Sequence, residues 1–75
     1  MEELSAIIRI LEEVTESDLP MTESTRLTED LAMTSLQMMI LITKAEDEFH
    51  RRVALADVAQ WKTVGDVAAY FRNKE

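Results

Sequence analysis

The sequence predicts an all-α fold, a three- to four-helix bundle with a long loop between helices one and two, and three observations carry that prediction. Apolar residues recur at three- and four-residue steps over 2–16, 35–49 and 63–72. Hydroxyl-bearing residues that suit helix caps, Thr34 and Thr63, stand where the last two stretches begin. Between the first and second stretches, Pro20 and a cluster of Ser, Thr and Asp break any helical period. The 75 residues bound one small domain over 1–75, a size at which about 60% of the unfolded surface is buried on folding. There is no cysteine, so the core must come from packing alone, without disulfides or thiolate zinc.

In the first helix, Leu4, Ile7, Ile8, Leu11 and Val14 form an apolar stripe while Glu3, Arg9, Glu12 and Glu13 take other faces. One wall of a bundle core is the expected role. The connection over 16–33 is longer than most, and Leu19, Met21, Leu27, Leu31 and Met33 are spaced as anchors that can pin it over the bundle. A turn of helix fits around 28–30. Parallel or steeply crossing helices need a connection of this length, whereas antiparallel neighbours do not.

The second helix starts at Thr34-Ser35-Leu36, where Thr34 with Gln37 three residues on fits a capping box. Ser35 is then either a spare capping hydroxyl or an exposed attachment point, and local spacing leaves both open. At 100° per residue, Met38, Leu41, Ile42, Ala45 and Phe49 share one side. Leu36, Ile40, Thr43, Lys44 and Asp47 fall on the other. Leu36 and Ile40 lie one turn apart beside Ser35, as a small docking patch or as residues that the loop covers. His50, Arg51 and Arg52 place positive charge at the negative end of the helix dipole.

Residues 53–60 read as a loop and a short helical turn, with Asp57 the candidate cap and Leu55, Val58 and Trp61 the apolar contacts. Thr63 caps the last helix, Asp66 favours its first turn, and Val64, Val67, Ala68 and Phe71 form its inward stripe. Tyr70 lies beside that stripe with its polar end free for water. Gly65 is tolerable near a helix end, and 73–75 should fray.

Charge excludes one class of function. Fifteen acidic against eight basic side chains give a net charge of −7, the wrong sign for neutralising nucleic-acid phosphates. Residues 1–48 hold 12 acids and 3 bases, a negative field that suits basic protein partners. No apolar run approaches the roughly 20 residues of a membrane span, and MEELS carries acids where a secretory signal carries bases. A cytoplasmic monomer is the expectation.

Catalytic motifs are absent too. A nucleophilic serine needs a base within reach, and the only histidine is His50, about 22 Å from Ser35 if both flank one helix. Glu46, Asp47 and Glu48 lack a glycine-bearing ligand loop and read as a solvated face rather than a calcium site. No metal site and no phosphate loop is expected. Ser35 therefore reads as a substrate of another enzyme.

Leu27, Asp30, Leu31, Met33, Ser35 and Leu36, in the pattern Leu-x-x-Asp-Leu-x-Met-x-Ser-Leu, resemble the signature of acyl carrier proteins. The likeness continues without a gap through Glu46, Phe49, Val53, Val64 and Tyr70. The family's usual Gly-x-Asp-Ser-Leu is Ala32-Met33-Thr34-Ser35-Leu36 here, a departure at two of five positions. The resemblance implies that Ser35, flanked by Thr34 and Leu36, receives covalent 4′-phosphopantetheine from coenzyme A. It implies a phosphopantetheinyl transferase and acyl-loading, condensing or modifying enzymes as partners, docking at Leu36, Ile40, Thr43 and Asp47. The expected function is a non-catalytic carrier of acyl or polyketide-type intermediates held as thioesters. An aminoacyl or peptidyl carrier shares the fold and serine, and an unmodified helical interaction module is the reading from another class. Carriers of fatty acid synthesis usually present an acidic second helix, whereas 37–43 bears no charge, which implies less basic, more apolar partners.

Overall fold

The computed structural model describes residues 2–72, and the expected frayed tail at 73–75 lies outside them. Four helices follow in order, α1 (Glu2–Thr15), α2 (Ser35–Phe49), α3 (Leu55–Val58) and α4 (Val64–Arg72). The first packs against both α2 and α4, so it needs two adjacent apolar stripes. That is why Ala6, Ile7, Ile10 and Leu11 are its buried residues, while Leu4, Ile8 and Val14 pack only partly buried around them. Ile7 and Leu11 of α1, Leu41 of α2, and Val64 and Val67 of α4 are fully buried. Each such side chain contributes about 1.5–3 kcal/mol relative to exposure.

The loop over 16–34 is stitched to the start of α4. Leu27 N–H donates to the Lys62 carbonyl (3.0 Å), and Val64 N–H donates to the Thr25 carbonyl (2.9 Å). Arg26 and Thr63 form an isolated antiparallel bridge. These bonds carry Leu27 into the core, where it is buried, with Met21, Leu31 and Met33 packed partly buried beside it. Leu19 is not an anchor. It is 60% exposed, in a stretch held locally by Leu19 N–H to Ser17 Oγ (3.1 Å). Residues 28–31 form turns closed by Asp30 and Leu31 N–H groups on the Arg26 carbonyl, 3.1 Å each.

Gly65 has a sharper role than tolerance. Its N–H donates to the Glu23 carbonyl at 2.9 Å, and a Cβ there would stand 3.0 Å from that same oxygen. A side chain there would be tighter against Glu23 than ordinary contact, so the loop would have to give by a few tenths of an ångström.

Three further expectations change at the far end of the bundle. Ala54, not Asp57, is the N-cap of α3, and no side chain caps it. Asp57 instead accepts from the Tyr70 hydroxyl (3.1 Å), so that hydroxyl is engaged. Leu55 is 72% exposed because a four-residue helix buries little of its circumference. Arg51 does more than oppose a helix dipole. Its guanidinium donates to the Tyr70 carbonyl (2.8 Å) and lies 4.9 Å from the Tyr70 ring centroid. Phe49 stacks on Phe71 at 4.7 Å, and Trp61 meets Tyr70 edge-on at 5.5 Å.

Candidate functional site at the start of α2

The local sequence builds the tip of α2 through its cap. Thr34 is in an extended conformation, its hydroxyl accepts from Gln37 N–H (3.1 Å), and Gln37 Oε1 accepts from Thr34 N–H (2.9 Å). The capping box thus uses Thr34 and Gln37 and leaves Ser35 out. A third bond, from Gln37 Nε2 to the Val14 carbonyl (3.4 Å), ties this cap to the last turn of α1, whose carbonyls have no intrahelical partner. Sequence spacing showed the box; the tie to residue 14 spans 23 positions and has no local signal.

Before the cap the chain makes a tight left-handed step. Ala32 has φ 52°, a region where a Cβ costs about 1–2 kcal/mol. Its N–H donates to the Thr28 carbonyl (3.0 Å), and Met33 N–H donates to the Leu27 carbonyl (3.1 Å). Those bonds hold the step in place and lead the chain from buried Leu27 to the helix tip. Position 32 is where the resembling motif has glycine, so one of the two motif departures falls on a backbone conformation that favours glycine.

Ser35 is exposed at the first position of α2. In a helix, the N–H groups of the first turn have no carbonyl four residues back, and they suit an anion such as a phosphoester. An exposed hydroxyl beside such amides fits covalent attachment of a phosphate-linked group. Thr34, Leu36, Thr43 and Asp47 are exposed as well. Leu36 is 69% exposed and Ile40 38%, and Met39, which the spacing argument left out, is 59% exposed. Met39 was missed because its angle lies at the border between the two faces of α2. The structure keeps His50 at the opposite end of the same 15-residue helix, so it and Ser35 do not come together. Among the described residues, no group of three or more His, Cys, Asp or Glu is placed to hold a metal ion.

The fold holds the Asp66 carboxyl below its usual range. Asp66 lies below its ordinary value because the Lys62 backbone N–H, and then those of Thr63, stabilise its charged form against some desolvation. It belongs to the start of α4, where it accepts from Lys62 N–H (2.8 Å) and Thr63 N–H (3.0 Å).

Comparison with known proteins gives the arrangement its relatives. Residues 5–71 match the family described as "Phosphopantetheine attachment site". An acyl carrier protein of Kineococcus radiotolerans is 40% identical over 48 residues, which are 64% of this chain and 59% of that protein. The meromycolate extension acyl carrier protein of Mycobacterium tuberculosis is 33% identical over 73 residues, 96% of this chain and 64% of that one. The chain thus spans about three fifths of the length of these curated relatives. A solved Mycobacterium tuberculosis chain described as an acyl carrier protein superposes with a TM-score of 0.84 at 34% identity, covering 89% of this chain and 90% of that one. With fold, sequence and family pattern in agreement over nearly all the described residues, the chain belongs to the acyl carrier protein family, whose domain is a phosphopantetheine attachment site.

Proposed function

We propose that Ser35 is the attachment residue and that the chain is a non-catalytic cytoplasmic carrier of acyl or polyketide-type intermediates. The observation that supports this most is that Ser35 is exposed on the first residue of α2 while Thr34 alone supplies the capping oxygen. A hydroxyl at neutral pH is a weak nucleophile without a base, and the single histidine lies a helix length away. The phosphopantetheinyl transferase therefore takes the Oγ proton. The bond from Ser35 Oγ to phosphorus forms as the pyrophosphate linkage of coenzyme A breaks, releasing adenosine 3′,5′-bisphosphate. Bound there, 4′-phosphopantetheine supplies the thiol this cysteine-free chain lacks, and with it a thioester. Thr34 and Leu36 flank the ester, and acyl-loading, condensing or modifying enzymes dock over Leu36, Ile40, Thr43 and Asp47.

Incubation with coenzyme A and a broad-specificity transferase tests the reading by intact mass. A phosphopantetheine mass gain that disappears in Ser35→Ala is expected. No gain, or a gain that survives the substitution, overturns the assignment. The mass of the cargo on protein taken from its native cell separates an acyl or polyketide carrier from an aminoacyl or peptidyl one.

A further inference from the structure

Gln37 stands where the end of α1 meets the start of α2, and its side-chain amide is bonded on both sides. Oε1 accepts from Thr34 N–H (2.9 Å), and Nε2 donates to the Val14 carbonyl (3.4 Å). A backbone donor on one side and a backbone acceptor on the other fix which way the amide faces. The capping box needs only the acceptor, which Glu supplies as well as Gln. The donor toward α1 is the part that Gln adds, and a glutamate in the same place would set a carboxylate oxygen against the Val14 carbonyl oxygen.

Other anchors near Ser35 are soft. Leu36, Met39 and Ile40 are exposed, and Leu41, the first buried residue of α2, stands about 9 Å along the axis from Ser35. Closer to Ser35 the apolar contacts come from Met33 and Met38, both only partly buried. Their unbranched thioether chains fill gaps and repack readily, so they hold no single position. The Val14 carbonyl is a firmer support, because α1 packs against both α2 and α4 and buries Ile10 and Leu11 just before it.

We infer that Gln37 is a positioning residue for esterification of Ser35: its amide ties the tip of α2 to the end of α1 and so holds the Ser35 hydroxyl in one place. The inference rests on Ser35 being the attachment residue. The transferase must bring a base within about 3 Å of Oγ, and a misplacement of about 1 Å can cost on the order of 100-fold in rate. Gln37 takes no proton and forms no bond to phosphorus; it acts through Thr34 and the first turn of α2. Loss of the tie therefore slows the reaction within the bound complex. Formation of that complex is unchanged, since the exposed side chains around Ser35 remain.

Single-turnover esterification of the full chain by a broad-specificity phosphopantetheinyl transferase with coenzyme A, followed by intact mass, tests this. Gln37→Glu keeps the acceptor of the box and loses the donor. Gln37→Met is uncharged, similar in length, and loses both. With both variants shown folded by circular dichroism at the assay temperature, the limiting rate at saturating transferase should fall about tenfold in each. The half-saturating transferase concentration should stay within about twofold. The Ser35 amide order parameter should fall from about 0.85 to below about 0.7 in both variants. A wild-type limiting rate in Gln37→Glu means that the box suffices, and overturns the tie. A loss that appears only as a raised half-saturating concentration makes Gln37 a contact for the transferase, and overturns the positioning role. Either result leaves Ser35 as the attachment residue, whereas no mass gain on wild type overturns both readings.

Discussion

At its N-terminal end α2 opens with a two-residue capping box, and its next turn leaves Leu36, Met39 and Ile40 in solvent. At its C-terminal end, His50 turns left-handed at φ 56° and the N–H groups of His50 and Arg51 both close on the Glu46 carbonyl. There Glu46 also holds Val53 N–H, while Arg51 bridges to α4 and Phe49 stacks on Phe71. One helix thus has a tip held by few tertiary contacts and a base locked by aromatic stacking, a cation over a ring, and charge-assisted hydrogen bonds. The difference teaches that stability and access are divided along a single element. Side chains near Ser35 are free to meet another protein because those at the other end, with α1 and α4, supply the packing.

Phe71→Ala should break the locked end. Removing a buried ring from the stack should cost about 3–5 kcal/mol, read as a lower urea midpoint. Leu36→Ala, one helix away from that core, should stay within about 0.5 kcal/mol. Equal losses would erase the contrast between the two ends.

A smaller effect of opposite sign belongs to the tip. Ala32→Gly relieves the left-handed step before Thr34 and should raise stability by about 0.5–1 kcal/mol, the relief of Cβ strain offset by added freedom of the unfolded chain. A loss of stability in urea would mean that the step is not strained. The smallest effect is electrostatic and lies at the start of α4. Asp66 titrates below its ordinary value of 3.8 in the fold, so its contribution is present above that value and lost as pH falls through the lowered folded value. Asp66→Asn should therefore flatten the acid side of the stability profile below about pH 4 and leave the dependence near neutrality unchanged.

Much of the fold is legible in the chain because helix period and caps are local. The predicted start and end of α2 match the structure, and so does the Thr34–Gln37 box. Val64, Val67, Ala68 and Phe71 are the buried residues of α4, as their spacing requires. The reading fails where residues that look alike in sequence are sorted by distant contacts. Leu27 and Leu19 both read as loop anchors, yet only Leu27 is drawn inward, by backbone bonds to residues 62 and 64. Asp57 looked like a cap by composition and became the acceptor for Tyr70, thirteen residues away.

By itself the sequence determined three amphipathic helices with a short helical turn before the last, the capping box at α2, the absence of any thiol, and a motif in which Ser35 follows a cap. These depend on residues within four positions of one another. The tertiary structure alone decided that Leu36, Met39 and Ile40 stay uncovered, that Gly65 packs closely against Glu23, and that Lys44 and Glu48 of α2 pair with Glu13 and Arg9 of α1. Those outcomes depend on which distant segments meet, and a helical period, which repeats every 3.6 residues, carries no information about what faces it across the bundle.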